Sequence, residues 1–481
     1  MRKDSATATL LWFALGVALL WNLPDLRLPP HGEHAWRDAD GLGVARSFLH
    51  DGWNPLLPRV AERGNLTGIV GMELPLLNWL GAAAMRVLGE RDWVCRALVL
   101  LSLVPLAFGF RRLARQLLPQ PAAADLATAF LLLEPLVLVF SHKFMPEVPM
   151  LAFLVWGGSL ALAGMAQGRR RDFALAALCL SLAAVLKPTG VAVAVPLALR
   201  ARRRFSELLA TDRTAAFRMA WQVILTALAP LASAALWFSY AHRLETTYGL
   251  PLFRLSNDWF EWARLLPDPN FEAVILGRWL HLYLLLPTCL WIAFEWRVAL
   301  AVLREHIEVS TWLAAGFVVV LLFGSHNFQH SYYALPLLLP IALFLGEFVL
   351  RASDKRAHSA AWRTIFVVIF AATGIVRALP RFRKLTYDPA RIEAALHLLP
   401  TGLIVATDQR TPVVSLVILH RCGWSLPAET LDPTRLAALR GQGATLLVES
   451  TFGGWLTEAQ RSTLPPPLYQ DDQLRAYDLS R

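Results

Sequence analysis

The sequence predicts a polytopic α-helical membrane protein with a small α/β domain at its C-terminus. Two observations lead to this prediction. Of the 481 residues, 56% are hydrophobic and only 17% are charged, whereas a soluble domain carries about 25% charged residues. The apolar residues also gather into runs long enough to cross a bilayer, and these runs stop near residue 380.

The first element is a series of apolar runs, which we interpret as about eleven transmembrane helices because a span needs about 20 apolar residues. The runs cover residues 7–23, 94–110, 123–140, 147–166, 173–186, 188–199, 219–240, 273–294, 309–324, 331–350 and 362–379. The first run follows a basic N-terminus and lacks a small-residue cleavage site, which indicates an uncleaved signal anchor. The fifth and sixth runs are short, and we expect them to be two short helices that meet at KPTG (187–190).

The basic residues orient these spans. The net charge of +10 could suggest nucleic acid, but the basic residues form short clusters between apolar runs instead of covering one soluble face, so we exclude a nucleic-acid partner. The clusters lie at residues 111–115, 168–172, 200–204, 295–306 and 351–356. Counting the spans places all of them on the side of the N-terminus. Cytoplasmic connections carry an excess of Lys and Arg, so we predict a cytoplasmic N-terminus.

Ionisable residues from several connections gather on the opposite, extracytoplasmic face. They are Asp38, Asp40, Glu73, His142, Lys143, Glu147, Lys187, His326 and His330. Such residues near a membrane usually mark a functional site. The densest stretch is HAWRDADGLGVAR (34–46), in the long first outer segment (24–92). We interpret it as a catalytic loop, and we expect an interfacial helix at residues 74–89 of the same segment.

The tail after about residue 380 no longer resembles a membrane segment. Residues 402–408 and 443–450 are typical of strands, and residues 411–424 and 433–443 are typical of helices that end at glycines. We predict a small α/β domain outside the cytoplasm (381–481), without a catalytic role because it contains no phosphate-binding glycine motif. The four cysteines lie far apart and indicate neither a zinc site nor a disulfide framework.

Five stretches together resemble the GT-C glycosyltransferases, and in particular glycosyltransferase family 39 with the protein O-mannosyltransferases and lipid A aminoarabinose transferases. The stretches are HAWRDADGLGVARSF (34–48), GMELPLLNWLGAAAMRVLGERDWVCRAL (71–98), SHKFMPEVPMLAF (141–153), AAVLKPTGV (183–191) and HNFQHSYYALPLLLPIALFLG (326–346). The resemblance covers most of the chain, and residues 1–380 would form the GT-C-type catalytic domain.

The resemblance implies an enzyme that takes a sugar from a polyprenyl-phosphate carrier and transfers it, with inversion, to an acceptor on the periplasmic face of the bacterial inner membrane. The acceptor is a lipid, a glycan or a protein, and the sugar a hexose or a pentose. The family's essential acidic residue in the first outer loop maps to Asp40, with Asp38 as the near alternative. A second acidic residue maps to Glu147. A divalent metal ion stays open as a cofactor.

The chemistry of such a transfer gives the other candidates a role. A carboxylate can take the proton of the acceptor hydroxyl, and fixed cations can stabilise the leaving phosphate. Lys187 is the first candidate cation, because a lone lysine between two apolar helices is costly unless it meets an anion. The candidate substrate- and phosphate-binding residues are Lys187, Arg37, His142, Lys143, His330, Tyr332, Tyr333 and Trp36.

Two other functions fit the same pattern. A transporter or flippase of a lipid-linked sugar would place ionisable residues at mid-membrane and on both faces, often with internal repeats. A non-catalytic scaffold for envelope assembly would need none of these side chains for chemistry. Structural roles also compete: Asp38 and Asp40 could cap a helix, Glu147 could favour a helix start, and Lys187 could extend to the interface.

Overall fold

The chain is mostly helical. The computed structural model describes residues 2–250, 269–278, 282–322, 324–382, 387–408 and 413–480. Up to residue 382 the α-helices are Arg2–Asn22, Ala35–His50, Leu76–Leu88, Asp92–Leu101, Leu103–Leu117, Pro121–Leu133, Pro135–Phe140, Glu147–Gln167, Arg170–Leu186, Ala194–Thr211, Arg213–Tyr248, Pro269–Arg278, Leu286–Phe294, Trp296–Glu305, Ile307–Leu322, Gly324–Gln329, Leu338–Asp354 and Ser359–Phe382.

Six helical segments of the described chain are long and apolar enough to cross a membrane, or seven if one bent pair is a single span. The six are Ala6–Arg27, Asp92–Leu117, Glu147–Gln167, Arg213–Tyr248, Ser331–Asp354 and Ser359–Leu379. Shorter apolar helices are Leu76–Leu88, Pro121–Leu133 and Ile307–Leu322. These helices confirm a multi-pass membrane protein, while the number of eleven spans stays a prediction. Part of the predicted run 273–294 lies outside the described residues.

The predicted break at KPTG is present. The helix that starts at Arg170 ends at Leu186, and Lys187 is extended with φ −164° and ψ 119°. A 3-10 turn leads into helix Ala194–Thr211, which is longer than predicted. The extension contains the basic cluster 200–204, and Arg203 pairs with Glu308 at 2.6 Å. Ion pairing therefore holds this helix beyond its apolar part.

The basic segment 295–306, predicted as a connection, is instead mostly helix. Helix Trp296–Glu305 lies at 89° to helix Leu286–Phe294. Ion pairs to the basic cluster 351–356 hold both ends of this helix. Glu305 pairs with Arg351 at 2.6 Å, and Glu295 pairs with Arg356 at 2.8 Å. The helix also buries Val298, Ala299 and Val302 on one face, and an amphipathic helix of this kind is suited to lie at the membrane interface.

Burial separates central from peripheral helices. Helices Glu147–Gln167 and Leu338–Asp354 are buried along almost their whole length. Gly346 allows close packing, since a Cβ at this position would overlap the carbonyl oxygen of Ala123. Helix Arg213–Tyr248 instead exposes large apolar side chains, among them Phe217, Trp221, Leu228 and Leu236. An apolar exposed face of this kind is suited to lipid contact.

The tail forms a five-stranded mixed sheet. Its strands are β1 (Leu403–Thr407), β2 (Gly423–Leu426), β3 (Ala444–Ser450), β4 (Pro467–Gln470) and β5 (Leu474–Asp478), in the order β2-β1-β3-β5-β4. β1 pairs in parallel with β2 and β3, whereas β5 is antiparallel to β3 and β4. Short helices accompany the strands at Pro389–Leu396, Val414–Ile418, Pro433–Gly441 and Glu458–Arg461.

The two predicted strands are present as β1 and β3, while β2, β4 and β5 were missed. Residues 411 and 412 of the helix predicted over 411–424 lie outside the described residues. Of residues 413–424, only Val414–Ile418 is helical and Gly423 begins β2, so the predicted extent is wrong. The edge of β2 is covered by the first outer segment: the Gly423 N–H donates to the Ala61 carbonyl at 3.1 Å, and the Gly64 N–H donates to the Gly423 carbonyl at 2.8 Å. The domain boundary at 381 and the periplasmic location stay predictions.

The sheet domain also contacts helix Ala35–His50. The Arg46 guanidinium donates to the Val417 carbonyl at 2.6 Å and to Asp92 at 2.5 Å, and lies 3.1 Å from the His420 ring. Gly43 leaves room for this contact, because a Cβ there would press on Val417 and Ala61. The tail is therefore packed directly behind the helix that carries Asp38 and Asp40.

Candidate active site

Helix Ala35–His50 carries the acidic residues predicted in a loop, so the loop assignment of Asp38 and Asp40 is wrong. The helix follows His34, whose φ of 56° turns the chain into it. Arg37, Asp38 and Asp40 are all buried. Buried charges are stable only when paired, so their partners decide what each of them can do.

Asp38 is part of a buried ion pair with Arg96. Arg96 Nη2 lies 2.8 Å from Asp38 Oδ2, and the Phe144 N–H donates to Asp38 Oδ1 at 2.8 Å. Burial by itself raises the pKa of the Asp38 carboxyl, but Arg96, Lys143 and the two hydrogen bonds outweigh it and lower the pKa. Asp38 is therefore held ionised and fully occupied, which makes it a poor proton acceptor.

Asp40 has a different environment. Arg37 Nη1 lies 2.8 Å from Asp40 Oδ2, an i,i+3 pair, and the other Arg37 nitrogen, Nη2, contacts Glu73 Oε1. Within the described chain Asp40 Oδ1 accepts no hydrogen bond. Burial raises the pKa of the Asp40 carboxyl, and Arg37 offsets this only in part. A carboxylate with a raised pKa and one unoccupied oxygen is suited to accept a proton.

Arg96 is a site residue that the sequence analysis did not name, and Glu73 was placed on the outer face but given no role in the site. Glu73 shares Arg37 with Asp40, so two carboxylates lie on one guanidinium. Each residue had a signal in the sequence. Glu73 is the single charge in VGMELPLL (70–77), and Arg96 is the single charge in VCRALVLL (94–101). A lone charge inside an apolar run usually has a buried partner.

A second ion pair joins two helix ends. Glu147 is the first residue of helix Glu147–Gln167, and Lys187 follows the end of helix Arg170–Leu186. Lys187 Nζ lies 2.7 Å from Glu147 Oε1 and above the rings of Tyr332 and Tyr333, at 4.6 and 4.7 Å from their centroids. The other oxygen, Glu147 Oε2, is buried and accepts no hydrogen bond in the part of the chain described.

The two ion-paired groups adjoin each other. Arg37 is close enough to Glu147, Tyr332 and Tyr333 to interact electrostatically with each of them, in addition to Asp40. Lys187 in turn interacts with Arg37. Two cations and three carboxylates (Asp40, Glu73 and Glu147) thus occupy one region, as predicted for Asp40, Glu147, Lys187 and Arg37.

Aromatic rings border this region. His34, Trp36, His330, Tyr332 and Tyr333 form a chain of ring contacts with centroid separations from 4.9 to 6.1 Å. The structure therefore brings the predicted residues Trp36, His330, Tyr332 and Tyr333 together beside Lys187. Such rings offer an apolar body with a polar edge to a ligand.

His142 and Lys143 contact other residues. Lys143 Nζ donates to the His31 carbonyl at 2.8 Å, and the His142 ring lies 2.9 Å from Asn22 Oδ1. Burial lowers the pKa of Lys143 to about 8. Lys143 also interacts electrostatically with Asp38. These two residues thus surround the Asp38 ion pair instead of the Asp40 group. The described residues contain no cluster of three or more His, Cys, Asp or Glu side chains that could hold a metal ion.

Glu62, on the outer segment next to the sheet, adds a carboxyl group to the same region. It interacts with Asp408, at the end of β1, and with Asp40, and its pKa is raised to about 7 by burial and by these two charges. The folded state therefore binds the Glu62 proton more tightly than the unfolded chain does. Its stabilising contribution is complete below pH 4.5 and is lost as the pH rises to about 7.

We expect Glu62→Gln to flatten the pH dependence of stability. The wild-type contribution lost between pH 4.5 and about 7 is at most about 3 kcal/mol. The measurement is thermal unfolding of the purified protein at pH 5 and pH 8. The difference between the two midpoints should shrink in Glu62→Gln and stay as in wild type in Glu429→Gln, whose side chain is exposed. An equal difference in wild type and Glu62→Gln would show that Glu62 does not titrate in this range.

Part of the sequence is similar to a known family. Residues 73–237 match the family described as dolichyl-phosphate-mannose-protein mannosyltransferase. This segment contains Glu73, Arg96, Glu147 and Lys187. No curated protein matches the sequence.

Solved structures match almost the whole chain. ArnT from Cupriavidus metallidurans, bound to undecaprenyl phosphate, superposes with a TM-score of 0.62 at 15% identity, covering 97% of each chain. The oligosaccharyltransferase AglB from Archaeoglobus fulgidus superposes with a TM-score of 0.54 at 12% identity, covering 92% of this chain and 69% of AglB.

The mycobacterial arabinofuranosyltransferase AftD superposes with a TM-score of 0.55 at 16% identity, covering 98% of this chain and 41% of AftD. ArnT, AglB and AftD are all GT-C glycosyltransferases. The chain thus has the GT-C fold and, over residues 73–237, resembles the dolichyl-phosphate-mannose-protein mannosyltransferases.

Proposed function

We propose that this protein is an inverting glycosyltransferase that moves a sugar from a polyprenyl-phosphate carrier to a hydroxyl group of an acceptor on the extracytoplasmic face of the membrane. The observation that carries the proposal is the Arg37 guanidinium, held between Asp40 and Glu73 and next to the Lys187–Glu147 pair. A candidate base and candidate phosphate-binding cations thereby share one region. The positive-inside pattern supports the extracytoplasmic location.

Asp40 is the proposed base. Its Oδ2 is held by Arg37, which leaves Oδ1 to accept the proton of the acceptor hydroxyl. The acceptor oxygen attacks C1 of the sugar from the side opposite the phosphate. The C1–O bond to the phosphate breaks as the new C1–O bond forms, so the configuration at C1 is inverted. General-base assistance of this kind contributes about 10²–10⁴-fold to the rate.

Lys187 and Arg37 are the proposed phosphate-binding cations. The Lys187 ammonium has three N–H donors and spends one on Glu147. Its remaining donors can stabilise the charge that grows on the departing polyprenyl phosphate. Glu147 and the two tyrosine rings hold the ammonium in place, so we propose a positioning role for Glu147. Trp36 and His330 are the proposed sugar contacts.

ArnT, which has the same fold, was crystallised with undecaprenyl phosphate, and the solved structure of AglB is a complex with an inhibitory peptide and a dolichol phosphate. Both lipids are polyprenyl phosphates, which supports a carrier of this class here. We propose a multi-pass location in the bacterial inner membrane with a cytoplasmic N-terminus and a periplasmic sheet domain. The following experiment identifies whether the acceptor is a lipid, a glycan or a protein.

The test is mass spectrometry of envelope lipids, glycans and proteins from a deletion strain and from complemented strains. We expect one envelope component to lose the mass of one sugar on deletion and to regain it with the wild-type chain. Lys187→Gln should not restore this mass, and Lys187→Arg should restore it in part because it keeps the charge. Lys355→Gln removes an exposed lysine of the basic cluster 351–356 and should restore it fully. Protein levels are compared by immunoblot.

An envelope whose composition is unchanged on deletion would contradict the proposed transferase function. Full restoration by Lys187→Gln would leave the transferase standing and remove Lys187 from the phosphate site. A transporter would give a different result, since the sugar-loaded carrier would accumulate while the purified protein formed no glycosidic product.

A further inference from the structure

Glu62 is a carboxyl group in the region of Asp40 that the mechanism proposed above does not use. Its side chain is half-buried and makes no hydrogen bond or ion pair within the described part of the chain. Each of the other acidic side chains in residues 24–92 has such a partner. A partly buried carboxyl group without a partner does not stabilise the fold, but because water reaches it, it can exchange protons with the solvent.

The backbone on both sides of Glu62 is attached to the edge of the sheet. The Gly423 N–H donates to the Ala61 carbonyl at 3.1 Å, and the Arg63 N–H donates to the Gly423 carbonyl at 3.1 Å. Glu62 and Gly423 thereby form a parallel β-bridge. The sheet domain therefore determines where the Glu62 side chain lies.

The outer segment and the sheet domain meet the helix of Asp40 at Gly43. A Cβ at Gly43 would lie 3.4 Å from Ala61 Cβ and 3.2 Å from Val417 Cγ2. Gly43 follows Asp40 by three residues, so the two share one face of their helix. The residue before Glu62 is thus packed one helical turn from Asp40, and the Glu62 carboxyl interacts electrostatically with the Asp40 carboxyl.

Asp408, at the end of β1, is the second carboxyl group beside Glu62. Its Oδ2 accepts hydrogen bonds from the Ser425 hydroxyl at 2.9 Å and from the Ser415 N–H at 3.3 Å, and these donors hold it in place. Burial, the Asp408 charge and the Asp40 charge together raise the pKa of Glu62 to about 7. Glu62 can therefore both take up and release a proton near neutral pH.

The titratable and charged groups that face this part of the outer segment come from the helix of Asp40, the sheet domain, a neighbouring membrane helix and the segment itself. They are Arg37, Asp40, Asp51, Arg59, Arg63, Glu245, Asp408, His420 and Cys422. Arg37 and Arg63 are already paired with carboxylates. Asp408 and Asp40 are the charges that act on Glu62.

We propose that Glu62 is the proton relay of the transferase: it takes up, through water, the proton that Asp40 receives from the acceptor hydroxyl, and it releases this proton to the solvent. The proposal rests on the function proposed above and adds the step that restores the base. When the new C1–O bond forms, the hydroxyl proton is on Asp40 Oδ1. It passes to the ionised Glu62 carboxylate, which leaves Asp40 ionised for the next acceptor, and Glu62 then gives the proton to water.

The test is the pH dependence of sugar transfer, between about pH 5 and about pH 9, in membranes of the deletion strain, which supply the native donor and acceptor. The relay requires ionised Glu62, so wild-type transfer should rise with pH through about 7. Glu62→Gln should lose this rise and transfer about tenfold more slowly at the alkaline end, a smaller loss than the 10²–10⁴-fold of a general base. Glu62→Asp keeps a carboxyl group and should retain the rise.

Three further measurements separate proton transfer from a change in structure. Asp408→Asn removes a charge that raises the pKa of Glu62, so the rise should move to lower pH. Imidazole, a small base that titrates near neutral pH, should restore transfer in Glu62→Ala, where the missing side chain leaves room for it, and should not change transfer by the wild type. Glu429→Gln removes an exposed carboxyl group and should keep the wild-type profile.

A wild-type rate and pH profile in Glu62→Gln would overturn the relay. A loss in Glu62→Gln that is equal at every pH, together with a Glu62→Ala protein that imidazole does not restore, would assign Glu62 to the fold and overturn the relay as well. Absence of transfer by the wild type at every pH would instead overturn the transferase. The failure of the relay and the failure of the transferase are therefore separate results.

Discussion

Asp40→Asn is expected to reduce sugar transfer by about 10²–10⁴-fold, the usual contribution of a general base. Asparagine keeps the size of the side chain and its Oδ1 can still accept the Arg37 hydrogen bond, but it cannot take a proton. Arg37 also keeps Glu73 as a partner, so the region stays neutralised. We therefore expect kcat to fall while the amount of folded protein and the binding of the carrier stay near wild type.

The measurement is transfer in membranes from the deletion strain, normalised to the amount of folded protein. Glu73→Gln is the matched control, since it removes the other carboxylate on the same guanidinium. A smaller loss in Glu73→Gln than in Asp40→Asn is the expected order. Full transfer by Asp40→Asn together with a large loss in Glu73→Gln would move the base to Glu73 and overturn the assignment of Asp40.

The preference for Asp40 over Asp38 could not come from the sequence. In WRDAD the two residues are two positions apart and chemically identical. What separates them is a partner 58 residues away, because Arg96 pairs with Asp38, whereas in the described part of the chain the one cation paired with Asp40 is its neighbour Arg37. Tertiary contacts of this length leave no local pattern, so the sequence could place both residues on one face of the membrane but could not rank them.

The wrong prediction of a loop at residues 34–46 has a cause outside the local sequence. Residues 34–46 were predicted as a catalytic loop because ionisable side chains crowd this stretch just after the first apolar run. Asp and Gly are also weak helix formers. Burial of the same residues stabilises the helix instead, and Gly41 is needed there because a Cβ would overlap the Phe144 carbonyl oxygen. Tertiary packing thus overrides helix propensity at this site. By contrast, the break at Lys187 was predictable, because Pro188 imposes it within the chain itself.

The apolar runs predicted the multi-pass architecture for a general reason. A bilayer requires long apolar helices whatever their contacts, so hydropathy alone reveals them. The strands of the sheet domain leave a weaker pattern in the sequence. β2 has only four residues, and its extended form depends on pairing with β1 and with the outer segment. The conformation of such a short strand depends on the strands that it pairs with, and the sequence analysis missed β4 and β5 for the same reason.

The Asp38–Arg96 pair leads to the second large effect. Arg96→Leu is expected to destabilise the protein by about 3–5 kcal/mol, because it leaves the buried Asp38 carboxylate without its cation. Arg96 is completely buried and also donates to the Leu26 carbonyl at 3.3 Å and to the Leu28 carbonyl. Its loss should therefore loosen the segment before helix Ala35–His50. The measurement is the thermal unfolding midpoint of the purified protein, followed by tryptophan fluorescence.

A second variant separates charge from shape. Asp38→Asn combined with Arg96→Leu removes both charges, so it should recover part of the lost stability, while the asparagine side chain can still accept the hydrogen bond from the Phe144 N–H. If Asp38 contributes to the stability of the fold and not to the chemistry, this double variant should transfer sugar faster than Asp40→Asn does. A double variant that is as stable as expected but inactive would assign the base to Asp38. Wild-type stability of Arg96→Leu would instead mean that the pair contributes nothing to the fold, because the cost of an unpaired buried carboxylate would be missing.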